Sequence, residues 1–225
     1  MKFQTSTILL MLAGSFVCFL ICTYLPFLNF SISLSDRHPF FLNVFFVNYT
    51  FMGNTFFALA LILLLVFYFK KYRLASSLFI SVLLTVLFVQ IIKNLIHGAA
   101  ISWYIERGQY LFFEDESGLG NYYSFPSGYT AIGFAIASIM AAQQNNAMKV
   151  LLIYVGAGIL GFSRIYLAQH NLSEVLGGAT IGMAAAFISL KIIQHFGLNF
   201  KAIKNTGKHT QSTVFLPGFN WKKAF

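Results

Sequence analysis

Charge is the scarcest feature of this chain: Asp, Glu, Lys and Arg make up only 9% of its 225 residues, against about 25% in a soluble globular domain. A water-exposed surface cannot be built from so few charged groups. Cysteine is nearly absent as well. Cys18 and Cys22 are four apart on one face of the first apolar run, a placement poorly suited to a disulfide and outside any metal-ligand pattern. No cluster of His, Cys, Asp or Glu has metal spacing, so neither metal nor cofactor is expected. His38, His195 and His209 are scattered and read as surface residues. The net charge of +9 raises nucleic acid as a partner, but no recognition helix or basic-aromatic stripe accompanies it. Internal repeats and a second domain are also missing.

The chain is instead 58% hydrophobic, in runs long enough to cross a bilayer. The first run covers Ser6 to about Phe30. It is long for a signal peptide and is followed by no clean small-residue cleavage site, so it reads as an uncleaved helix. Asp36 to Asn54, rich in Phe and broken by Pro39, reads as a loop or interfacial segment. Its Asn48-Tyr49-Thr50 matches the common glycosylation pattern. Further helices are expected at about Thr55–Phe69, Leu74–His97, Ser127–Ala142, Met148–Ala168 and Leu172–His195. The expected fold is all-α, a single six-transmembrane-helix domain over residues 1–195. Residues 196–225 would form a basic cytoplasmic tail.

The cations orient such a bundle. With the N-terminus in the cytoplasm, Lys2, Lys70, Lys71, Arg73, Lys149, Lys191 and the five lysines of the tail lie inside, while Arg37, Lys93, Arg107 and Arg164 lie outside. That is the positive-inside pattern. The same topology sends the end of the third helix, the start of the fourth, the end of the fifth and the start of the sixth to the outer face. Lys93, Ser127, Arg164, His170 and Glu174 are therefore expected to meet in one pocket there.

The residues of that pocket suit phosphate. Ser127 and Gly128 open a helix, where free amides and the dipole favour an anion. Arg164 offers a planar fork of donors and Lys93 a point charge. His170 is a nucleophile or base if a carboxylate holds its other ring nitrogen. Glu174, one helical turn on, is placed to do so. Asn171-Leu172-Ser173-Glu174 also has the form of a helix cap with Glu174 near N3, and the two roles are compatible. Lys93 has the alternative of snorkelling to the outer headgroups. Glycines 156, 158, 161, 177, 178 and 182 read as close-packing positions.

Between Lys93 and Glu174 the sequence resembles the type-2 phosphatidic acid phosphatase family, whose soluble relatives include acid phosphatases and vanadium haloperoxidases. The Pro-Ser-Gly of its second motif stands at Pro126, Ser127 and Gly128. The Ser-Arg, five residues, His of its third stands at Ser163, Arg164 and His170, with Glu174 replacing an aspartate. Phosphatase-like helices would then span about 74–195. The resemblance implies that His170 is the nucleophile and Glu174 orients it, and that Lys93, Ser127, Gly128, Ser163 and Arg164 hold phosphate. It also implies a lipid phosphate or diphosphate as substrate.

Two positions depart from the family. Tyr129 stands where the general-acid histidine belongs, and Ala100-Ile101 replaces an Arg-Pro pair. His97 and Arg107 are nearby cations available to substitute for the arginine, and Glu114, Asp115 or Glu116 for the acid. A phenol, with an ordinary pKa of about 10, is a poor acid near neutrality. A diphosphate, whose leaving phosphate has a second pKa near about 6, needs one least. The sequence thus predicts a membrane phosphatase acting on a lipid phosphate or polyprenyl diphosphate at the extracytoplasmic face, in a bacterial inner membrane. The alternatives are a binder of lipid phosphate without turnover and a multipass structural or transport protein.

Overall fold

The computed structural model describes residues 12–17, 19–20, 39–96, 125–167 and 169–196. Most of the first apolar run, both cysteines, the Gly98–Ser124 connection and the tail beyond Phe196 lie outside the described residues. So do His97, Ala100, Ile101, Arg107, Glu114, Asp115 and Glu116. What is described is helical throughout, with no strand among the described residues.

The helices are α1 (Phe40–Thr50), α2 (Thr55–Phe67), α3 (Tyr72–Leu95), α4 (Gly128–Ala141), α5 (Ala147–Tyr166) and α6 (Leu172–His195). Side-chain caps set several starts. Asn54 accepts from the Phe56 amide at 2.8 Å, and Asn146 from Met148 and Lys149. Each relieves amide donors that have no partner inside the helix.

From Phe40 to Thr50, helix α1 corrects the reading of Asp36–Asn54 as a loop. Pro39 does not break this stretch; it occupies the N-cap of α1. Proline is tolerated at a helix start because the N–H it lacks would have no helical partner there. A 3₁₀ turn, Phe51–Gly53, follows, and extended Asn54 separates it from α2. The two apolar arms, Phe40–Gly53 and Thr55–Phe67, are bent by 61°.

Among the described residues three helices are long and apolar enough to cross a bilayer: α3, α5 and α6. The bent pair makes a fourth if it counts as one span. Helix α4 is apolar but has only 14 residues, short of the roughly 20 that a span needs. It is buried on most sides by α3, α5 and α6, as expected of a helix apolar all round. One core joins Ile62 and Leu65 of α2, Leu78 and Val82 of α3, Ile139 of α4 and Leu190 of α6. A second joins Val150 and Tyr154 of α5 to Ala179 and Met183 of α6. Outward faces expose Phe56, Leu63, Phe79, Leu87, Ile91 and Leu152. Such apolar exterior suits lipid, not water.

The α4–α6 contact is backbone-close. A Cβ on Gly182 would fall on the Ala131 carbonyl, and one on Gly178 on that of Ser127. Gly158, by contrast, has open space around it among the described residues, so it packs closely against none of them. We expect Gly182→Ala to force the helices apart and destabilise the protein by roughly 1–3 kcal/mol. The readout is a lower unfolding midpoint in detergent, with Gly158→Ala unchanged as the control.

Candidate active site

The first turn of α6 holds a carboxylate in place. Asn171 at the N-cap accepts from the Glu174 amide at 2.8 Å, and Glu174 Oε2 accepts from the Asn171 amide at 3.2 Å. This reciprocal capping box fixes the carboxylate rotamer. The same Oε2 lies 2.8 Å from His170 Nδ1. Both side chains are nearly buried, 12% and 6% exposed. Glu174 is the only acidic residue among the described residues.

The end of α5 brings in a cation. The Arg164 carbonyl accepts from the Gln169 and His170 amides at 3.0 and 3.2 Å. The short turn between α5 and α6 therefore folds back and sets His170 beside Arg164. Buried Arg164 donates from Nη1 to Thr50 Oγ1 at 3.0 Å. Its guanidinium carbon lies 4.3 Å from the centre of the Tyr129 ring, within the range of a cation–π contact.

The start of α4 completes the group. The Ser127 amide donates to the Glu174 carbonyl at 3.1 Å, which ties the start of α4 to the start of α6. Ser127 sits at the N-cap but its side chain makes no cap bond; its hydroxyl accepts from Thr130 at 2.9 Å. A Cβ on Gly128 would stand 3.8 Å from Val89 Cγ1, so the C-terminal part of α3 lies against the opening of α4. Lys93, one turn beyond Val89, is within electrostatic reach of Glu174, Arg164 and His170.

Lys93, Ser127, Gly128, Tyr129, Arg164, His170 and Glu174 thus gather where four helix ends meet. Ser163 is buried and its hydroxyl donates to the Leu160 carbonyl of its own helix at 2.6 Å. Tyr129 has its phenol oxygen on Asn54, which donates from Nδ2 at 3.1 Å. Sequence reasoning missed Thr50 and Asn54. Asn54 did carry a signal, a cap residue before an apolar run; Thr50 was visible only as part of a glycosylation pattern.

The electrostatics follow from burial. Loss of water pushes the His170 imidazole below its ordinary value. The hydrogen bond and charge of Glu174 pull it up, the charges of Arg164 and Lys93 push it down, and the net direction is down. With Glu174 accepting at Nδ1, the proton stays on that nitrogen and the lone pair on Nε2. Two cations and the opening of a helix beside an oriented imidazole are chemically suited to an anion such as phosphate. No group of three His, Cys, Asp or Glu that could hold a metal ion occurs among the described residues.

An all-helical membrane bundle with this histidine and these cations at its helix ends defines a phosphatase-like membrane protein. The chain belongs to the PAP2 superfamily, which matches residues 73–197. It is similar to the crystal structure of Aquifex aeolicus LpxE, with 28% identity over 69% of this chain and 88% of that one and a TM-score of 0.58. It is also similar in fold to the first transmembrane PAP2-type phosphatidylglycerolphosphate phosphatase from Bacillus subtilis. There the identity is 20%, the coverage 84% of this chain and 98% of that one, and the TM-score 0.63. No curated protein matches the chain.

Proposed function

We propose that this protein is an integral membrane phosphatase that hydrolyses a lipid phosphate or polyprenyl diphosphate through a phosphohistidine. The observation that carries the reading is the 2.8 Å contact between His170 Nδ1 and Glu174 Oε2 beside the two cations. Nε2 of His170 attacks phosphorus, and the bond to the leaving oxygen breaks. Water then hydrolyses the P–N bond, releasing phosphate and restoring the imidazole. Lys93, Arg164 and the amides opening α4 take up charge on the phosphoryl oxygens, where it grows in the transition state. If the chain takes the six-span topology read from its sequence, with both termini in the cytoplasm, these helix ends face the extracytoplasmic side of a bacterial inner membrane.

The leaving group sets the preferred substrate. With Tyr129 in place of a histidine acid, a phosphate leaving from a diphosphate departs with little proton help, whereas an alkoxide does not. The test is phosphate release by detergent-purified protein offered a polyprenyl diphosphate and phosphatidate in parallel. Release from the diphosphate exceeding that from phosphatidate supports the reading; equal or reversed rates remove the leaving-group argument. Bound ligand without release establishes the second reading, a non-catalytic binder, which the Tyr129 and Ala100 departures favour.

A pH profile tests the histidine's state. Neutral imidazole is the attacking form, so activity rises with pH as His170 loses its proton. Because burial lowers its pKa, the acid limb of kcat/KM falls below the ordinary imidazole value of about 6.5. A limb above that value would mean that Glu174 outweighs burial.

A further inference from the structure

We infer that the bend between α1 and α2 is part of the phosphate site, with Thr50 and Tyr129 as positioning residues that hold Arg164. This rests on the phosphatase reading and assigns work to residues that reading leaves out. Three contacts meet at the bend. Thr50 Oγ1 accepts from Arg164 Nη1 at 3.0 Å, the Tyr129 ring lies 4.3 Å from the guanidinium carbon, and Asn54 donates to the Tyr129 hydroxyl at 3.1 Å. One hold is a hydrogen bond to a guanidinium nitrogen and the other an aromatic ring under the guanidinium carbon. Two separate holds restrain a planar donor whose use for phosphate depends on its orientation.

The bend itself is built to reach this place. A Cβ on Gly53 would stand 2.5 Å from the Tyr129 carbonyl oxygen, so only glycine lets the 3₁₀ turn sit directly on the first turn of α4. The turn and extended Asn54 then present Thr50 to Arg164 and Asn54 to Tyr129 from one short segment. The ring of Tyr129, not its proton, is the part that matters here. A histidine at that position has no six-membered ring to lay against the guanidinium and no phenol oxygen for Asn54.

The experiment measures binding of orthovanadate, a phosphate mimic, to the full-length protein in detergent, alongside KM and kcat for a polyprenyl diphosphate. Losing a hydrogen bond to a charged group corresponds to roughly a tenfold loss. Thr50→Val is expected to raise the orthovanadate Kd and the KM by that factor, and Thr50→Ser to restore both. Tyr129→Leu weakens binding similarly, and Tyr129→Phe, which keeps the ring but loses the Asn54 contact, weakens it less than Tyr129→Leu does. In an Arg164→Ala background, Thr50→Val produces no further loss, because its effect runs through Arg164. A purely structural threonine would weaken both backgrounds alike, and that result overturns the inference. So does Thr50→Val binding as tightly as wild type. If orthovanadate binding follows the expected pattern but no phosphate is released, the clamp stands and the phosphatase reading falls. Wild-type protein that binds no orthovanadate removes both.

Discussion

Replacing His170 with alanine is expected to lower kcat for phosphate release by on the order of 10⁶-fold, to background, the scale seen when a nucleophile or its base is deleted from a covalent mechanism. Orthovanadate binding should survive, because Lys93, Arg164 and the opening of α4 remain. The prediction is sharp because no other side chain in the group is placed to replace the imidazole. The Ser127 hydroxyl is buried and accepts from Thr130, and the Ser163 hydroxyl is turned to its own helix. Rapid quenching of wild-type turnover with a labelled lipid diphosphate should trap label on the protein, and the variant should trap none. A variant that keeps about 1% of activity would show that water attacks phosphorus directly. His170 would then be at most a base.

How far the sequence discloses this site depends on how local each contact is. His170 and Glu174 are four apart, so a helix start between them brings them together whatever the rest of the chain does. The capping box is equally local, and it places Glu174 at N3 as its spacing suggests. Helix bounds are legible for the same reason: α2 through α6 begin and end within two residues of the apolar runs. The bend contacts are not local. Thr50 meets Arg164 across 114 residues and Asn54 meets Tyr129 across 75, and no periodicity encodes such pairs. Helix α1 was hidden by its proline, which reads as a breaker unless the residue is known to sit at the start. The central place of α4 is also invisible in sequence. A 14-residue apolar run looks like an ordinary short span, and only packing shows that it is enclosed by its neighbours.

Glu174→Gln separates the two duties of the carboxylate, and it is expected to lower kcat by about 10⁴-fold with little change in stability. Glutamine serves at N3 of a capping box as well as glutamate does, so α6 keeps its start. What changes is the partner of His170. The amide is neutral, and when its NH₂ faces Nδ1 it donates there, leaving the proton on Nε2, the nitrogen that must attack. A wrong tautomer of this kind lowers kcat by about 10⁴-fold in a serine-protease triad whose geometry is otherwise intact. Orthovanadate affinity should be kept or tightened, since the only carboxylate among the described residues has been removed from beside Lys93, Arg164 and His170. Asn171→Ala gives the opposite signature. It deletes the cap acceptor for the Glu174 amide, 2.8 Å away, and should destabilise the protein by roughly 0.5–2 kcal/mol. The carboxylate stays on His170, so kcat falls only slightly. Thermal unfolding and kcat measured on both variants decide the matter. If Glu174→Gln lowers the unfolding midpoint and spares kcat, Glu174 is a capping residue alone, and the imidazole must take its orientation from the α5–α6 turn that hangs on the Arg164 carbonyl.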